Sequence, residues 1–243
     1  MRLVPAHVHR GDRGTRRNGA GALKALLLDL GGTVFRSGSE MMALLGDAEP
    51  AVRGVVARRG PLGPERDDLW ERMIRSEITE RDYWQRRSDE VGAALGRDWP
   101  IQDFMHTLYA LAGDDIIRPA AAALAADAQA TGRRVGVLTN DLRAFHGETA
   151  MASHPFLRGV DALVDASVTG ILKPDPRAYA LGADALGSAP GDIVFVDDMP
   201  WNIEGARKAG MIAVELDLTD PQRAFDEARD ALDLPRTADG VVA

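Results

Sequence analysis

The chain has 243 residues, 45% of them apolar and 27% charged, values that exclude a fibrous protein or wholesale disorder and suit one or two globular units. It contains no cysteine, which excludes disulfides, thiolate metal sites and cysteine nucleophiles together. The net charge of −8 is uneven, +5 over residues 1–24 and −13 over the remainder; so acidic a body makes a poor nucleic-acid binder, although it can hold phosphate locally through a metal ion.

Residues 1–22 are rich in Arg and Gly with no apolar period and read as a disordered basic leader. Arg16-Arg17 faintly matches a twin-arginine export signal. The apolar run that follows, Ala25 to Leu28, meets Asp29 at once, which is too short for a signal core and right for a buried strand. No stretch approaches the roughly 18 apolar residues of a membrane span, so a cytoplasmic protein with no membrane partner is expected.

A first strand over 23–30 runs into Asp29-Leu-Gly-Gly-Thr33. About a hundred residues then pass without a convincing strand. They read as helices over 40–45, 51–59, 65–78, 80–95 and 101–111. Thr79 is placed to cap the fourth, with Glu80 and Asp82 in its first turn. Leu69, Met73, Trp84, Val91, Leu95, Phe104 and Leu108 fall at spacings that suit the inward faces of a small bundle.

Strands and helices alternate thereafter. A helix over 119–130 starts on Pro119 with Gly132 past its end. A strand over 134–139 ends in Thr139-Asn140, and another covers 162–165. Lys173-Pro174 lies in a loop ahead of a helix over 176–186 that Gly187 closes. A strand over 192–197 ends in Asp197-Asp198, a helix over 201–209 is closed by Gly210, and a last strand covers 211–216. Short, nearly continuous apolar runs alternating with such helices predict an open α/β fold: a doubly wound, Rossmann-like parallel sheet. The expected domains are an α/β core over 23–35 and 116–243 and an all-helical cap over 36–115.

In open parallel sheets ligands sit beyond the carboxyl ends of the strands. Three of the five strands end there in polar residues, and Lys173, one of only three lysines in the chain, falls in a loop between the last two of these ends. A lone Asp at a strand end reads as a turn or helix cap. Three such ends and a lysine point to a site, and the adjacent Asp197 and Asp198 would repel unless a cation neutralised them.

The order and spacing of Asp29…Thr33, Thr139-Asn140, Lys173-Pro174 and Val196-Asp197-Asp198…Asn202 resemble the haloacid dehalogenase superfamily of hydrolases, in the subfamily with a helical cap inserted after the first motif. The stretch from Thr169 to Met211 is the most specific part. The resemblance implies that Asp29 is a nucleophile forming a covalent aspartyl intermediate. It implies that Thr139, with the neighbouring Asn140, holds the phosphoryl oxygens, and that Lys173 neutralises nucleophile and phosphoryl group. It also implies Mg²⁺ as cofactor, held by Asp29, the Gly31 carbonyl and Asp198, with Asp197 in the outer shell. Thr33 and Asn202 would support the loops.

The sequence departs from the family pattern at Gly31, where its phosphatases usually carry a second Asp as general acid and base. Three readings follow: a phosphatase acting on a small phosphorylated substrate with a good leaving group; carbon–halogen cleavage, which needs no proton for the halide; or a weakly active relative with a binding role. An Asp197-Asp198 pair without metal would repel an anionic haloacid. A phosphonatase is excluded, because residues 36–118 contain no lysine for a Schiff base. Gly31 itself has two readings: a lost acid, or a backbone conformation that only glycine adopts easily. Nothing in the sequence sets an oligomeric state.

Overall fold

The structure, a computed structural model, describes residues 23–143 and 154–235; the basic leader over 1–22 lies outside the described residues. Five strands, β1 (Ala25–Leu28), β2 (Val135–Thr139), β3 (Ala162–Asp165), β4 (Ile193–Asp197) and β5 (Ile212–Glu215), pair entirely in parallel in the order β3-β2-β1-β4-β5. Each lies within the run expected for it. β1, the first in the chain, sits at the centre, and every residue of β1, β2 and β4 is buried. That two-sided burial explains why these runs are apolar throughout and do not alternate.

Helices cover both faces. Alternate residues of β1 serve the two sides: Ala25 and Leu27 pack with Tyr179, Leu186, Ile203 and Met211, whereas Leu26 and Leu28 pack with Leu124, Ala128, Phe225 and Leu232. The covering helices, numbered with the other α-helices in chain order, are α9 (Pro176–Leu186) and α10 (Pro200–Lys208) on one face. On the other face are α6 (Pro119–Ala130) and α11 (Pro221–Ala231). The Cβ that Gly182 of α9 lacks would lie 2.9 Å from Leu27 Cδ2, so the helix seats directly on the central strand. Two short helices, α7 (Pro155–Gly159) and α8 (Ala166–Thr169), flank β3.

Between β1 and α6 the chain is helical: α1 (Gly38–Ala48), α2 (Arg53–Val56), α3 (Asp68–Ile74), α4 (Glu80–Ala94) and α5 (Ile101–Ala112). The expected inward residues Met73, Trp84, Val91, Phe104 and Leu108 are buried, and Leu69 and Leu95 pack against them half-buried. Thr79 caps α4, accepting from the Asp82 N–H while the Asp82 carboxylate accepts from Thr79. Two expectations were too long. The run over 51–59 divides into a 3₁₀ turn, Pro50–Val52, and α2. The helix expected over 65–78 is confined to α3, because Asp67 caps it by accepting from the Trp70 N–H at 2.9 Å and Ser76 leaves it with φ +58°.

Entry to and exit from this helical segment run side by side. Arg36 N–H donates to the Ile116 carbonyl at 2.8 Å, and Arg118 N–H donates to the Val34 carbonyl at 2.9 Å. Arg118 fastens the junction with its side chain, through Nε to the Gly32 carbonyl at 3.0 Å and through Nη2 to Glu40 Oε2 at 2.5 Å.

Candidate active site

The parallel order sets β1 between β2 and β4, so the carboxyl ends of all three converge. Asp29 follows β1 directly, its N–H donating to the Val196 carbonyl of β4 at 2.9 Å. Thr139 is the last residue of β2 and Asp197 the last of β4. Lys173 reaches in from the loop before α9. Its Nζ donates to Asp29 Oδ1 at 2.5 Å and to Asp197 Oδ2 at 2.6 Å, and it is buried. One ammonium thus answers two buried carboxylates, an arrangement stable only when each remaining lone pair also finds a donor.

Asp197 meets that condition. The Met199 N–H donates to its Oδ1 at 2.8 Å, and Asn202 Nδ2 lies 3.0 and 3.1 Å from its two oxygens. The Asn202 carbonyl in turn accepts from the Tyr179 hydroxyl at 2.7 Å. The Asn140 side chain clamps Lys173, donating to the Lys173 carbonyl at 3.0 Å and accepting from the Lys173 N–H at 2.8 Å, and leaves the Asn140 backbone amide out of that contact. It positions the lysine. Thr33 is fully buried with no hydrogen-bond partner for its hydroxyl.

Asp29, Gly31, Thr139, Asn140, Lys173 and Asp198 line one cleft, and Asp197 is not among its lining residues. The same cleft is lined from the helical side by Glu80, at the start of α4, and by Tyr109 of α5. Neither was picked out as a site residue in the sequence, where Glu80 is only a first-turn acid and Tyr109 only a helical aromatic. A second cleft continues past Gly31, Glu80, Tyr109 and Asp198 toward Met41, Trp70, Trp84 and Met105.

The site crowds four carboxyl groups, Asp29, Asp197, Asp198 and Glu80, around one ammonium among the described residues. Burial pushes the Asp29 carboxyl up to about 7, against the pull of Lys173. Burial, together with the charges of Asp197, Asp29 and Glu80, holds Asp198 well above the usual carboxylate range. Asp29, Asp198 and the Gly31 carbonyl are hard oxygen donors facing one cleft, and that deficit of positive charge suits a divalent cation. Among the described residues no group of three or more acidic or histidine side chains is placed to hold a metal. Two carboxylates and a carbonyl therefore fit only an ion that keeps several waters, as Mg²⁺ does.

The two glycines of the first motif have opposite reasons for being glycine. Gly32 has φ +81°, and a Cβ there would lie 2.2 Å from Asp198 Oδ2, so any side chain would displace Asp198. A Cβ on Gly31 would meet nothing within 4 Å, and Gly31 is not among the positive-φ residues. The reading of Gly31 as a backbone requirement is thereby overturned: there is room for a side chain at 31, and none is present.

Comparison with known proteins agrees with this geometry. Phosphatase MT3486 of Mycobacterium tuberculosis is 32% identical over 134 residues, which cover 49% of this chain and 62% of that protein. The chain spans less than two thirds of the length of the first curated relatives it matches. A solved L-2-haloacid dehalogenase shares the fold at TM-score 0.56 and 20% identity, over 87% of this chain and 98% of that one. A phosphatase from Thermococcus onnurineus does so at 0.55 and 19%, over 88% and 100%. A family model described as haloacid dehalogenase-like hydrolase matches residues 23–210, from the strand that carries Asp29 to the end of the helix behind Asp198, and the chain belongs to that hydrolase family.

Proposed function

We propose that the protein is a Mg²⁺-dependent phosphatase that hydrolyses a small phosphorylated metabolite through an aspartyl-phosphate on Asp29. The observation that carries this reading is the crowding of carboxyl groups at the strand ends: Lys173 is already shared by Asp29 and Asp197, and Asp198 lies beside them with no ion pair among the described residues. The curated phosphatase relative supports the same reading.

Asp29 Oδ attacks phosphorus as the bond to the leaving oxygen breaks, and water then cleaves the aspartyl-phosphate to release inorganic phosphate. Lys173 holds Asp29 in place and neutralises charge on the transferring oxygens. The Thr139 hydroxyl and the backbone of Asn140 orient those oxygens, and Asn202 fixes Asp197 behind them. When bound to Asp29, Asp198 and the Gly31 carbonyl, Mg²⁺ supplies the charge neutralisation that lets a carboxylate approach a phosphate dianion.

Carbon–halogen cleavage is the weaker reading on a specific ground. A haloacid brings a carboxylate of its own, and among the described residues the only cation lining either cleft is Lys173, which is already committed.

The test is turnover of an aryl phosphate with and without Mg²⁺. Mg²⁺ should restore activity removed by chelation and raise the melting temperature by mass action on the folded state, and Asp29→Asn should abolish turnover in a folded protein. Full activity on the aryl phosphate in excess chelator would overturn the Mg²⁺ dependence, and turnover of a haloacid in its place would favour the dehalogenase reading. Absence of turnover on every phosphate ester tried would leave a binding role.

A further inference from the structure

Gly31 leaves the site without the carboxylic acid that its position usually supplies, and the space beside it is open. The nearest replacement comes from outside the α/β core. Glu80, the first residue of α4, enters the cleft that Asp29, Gly31 and Asp198 line. It lies where this cleft meets the second one, which runs toward Trp84 and Met105. The cap box of α4 is complete without it, because Thr79 and Asp82 satisfy each other. The Glu80 carboxyl makes no ion pair among those described; its one hydrogen bond comes from Trp84 Nε1 at 3.4 Å. An acidic group with no ion pair among the described residues, lining the same cleft as Asp29 and Gly31, is poorly explained as structure.

We infer that Glu80 is the general acid and base of this enzyme, supplied by the helical segment in place of the missing carboxylate at position 31. The inference rests on the phosphatase reading above. In the first step the protonated Glu80 gives its proton to the leaving oxygen as the P–O bond breaks, so the product departs as an alcohol and Glu80 as a carboxylate. In the second step water attacks the phosphorus of aspartyl-phosphate, its proton passes to Glu80, and the Asp29 carboxylate is regenerated. The net change is one ester and one water to one alcohol and one phosphate.

The surroundings favour the protonated starting form. Burial acts first, and the charges of Asp141, Asp29 and Asp197 add to it, pushing the carboxyl up to about 8. Asp198 and Tyr109 also face it from the sheet side and from α5. The Trp84 N–H favours the anion, and Asp141 is itself paired to Arg81.

The experiment compares the full-length, Mg²⁺-loaded wild type with Glu80→Gln on two substrates, p-nitrophenyl phosphate and a simple alkyl phosphate. General acid–base catalysis is typically worth about a hundredfold to ten-thousandfold, so kcat on the alkyl ester should fall by that order. The aryl ester, whose phenolate leaves unaided, should lose far less. The alkaline limb of the wild-type alkyl-phosphate pH profile should vanish in the variant. Gly31→Asp added to Glu80→Gln should restore alkyl turnover, because position 31 has room for the carboxylate. Equal losses on both esters, no loss on either, or no rescue by Gly31→Asp would overturn the assignment. If Glu80→Gln does not fold, Glu80→Asp is read by the same substrate ratio and pH limb. A wild type inactive on both esters would instead sink the phosphatase reading.

Discussion

On the sheet side of the cleft, Asp29, Lys173, Asp197, Asn140 and Asn202 hold one another at 2.5 to 3.1 Å. On the helical side, Glu80 meets one indole N–H at 3.4 Å, and its neighbours Trp70, Trp84 and Met105 are apolar or aromatic. The first wall is a charge network held by residues at and just past the strand ends together with Lys173 and Asn202, an arrangement that suits a preorganised reaction centre. The second wall is a packed surface whose shape follows helix placement. The helical segment does own a network of comparable quality, but it lies away from the cleft. There Asp67 accepts from Arg87, the Tyr83 hydroxyl and the Gly60 N–H. On the proposed function, the molecule uses buried charge for chemistry in one region and for architecture in the other.

Three substitutions separate these uses. Arg87→Met should have the largest effect on stability. It strands the buried Asp67, and removing one partner of a buried pair costs about 3–5 kcal/mol. Urea unfolding of the variant should show a lowered midpoint, and a midpoint within error of wild type would mean the helical network is not structural. Lys173→Met should act on rate: loss of a preorganised charge contact typically costs on the order of a hundredfold to a thousandfold in kcat. Steady-state kinetics on an aryl phosphate check it, and a kcat near wild type would show that Lys173 serves only to hold the fold. Asn140→Ala should be the mildest. It leaves the Lys173 N–H and carbonyl unpaired, at about 1–3 kcal/mol per stranded buried group. It should lower kcat less than Lys173→Met does, since the ammonium remains, and an equal or greater loss would show that Asn140 touches the substrate itself.

The two walls also differ in how much of them the sequence reveals. Asp29, Thr139, Lys173 and Asp197-Asp198 are legible because each ends a strand or precedes a helix, and chain order alone sends such ends to one edge of the sheet. Glu80 is not legible. Residue 80 reaches the cleft only through the packing of α4 on α5, and no spacing along the chain encodes it. The clamp of the Asn140 side chain on Lys173, 33 residues away, is likewise not encoded by spacing along the chain. The length of α3 was misjudged because its apolar period continues past Ser76, where a positive φ ends it. Helix α11 is legible in the sequence as well: Pro221 stands at its start, and Ala224, Phe225, Ala228 and Leu232 are buried along one face.

The side-by-side crossing at 34–36 and 116–118 has a consequence for the way such a chain can change. Both ends of the helical segment leave and rejoin the sheet within one hydrogen bond of each other, and Arg118 ties the rejoining end back to Gly32 and Glu40. The ends being already together, the segment is a closed loop with respect to the sheet, and each doubling of its length costs only about 0.6 kcal/mol in closure entropy. Helices can therefore be added, removed or replaced there while the strand ends keep their geometry. On that view the cassette between residues 36 and 116 brings with it the shape of the second cleft and, through Glu80, the proton. An exchange of cassettes would then exchange the class of leaving group that one unchanged nucleophile can release.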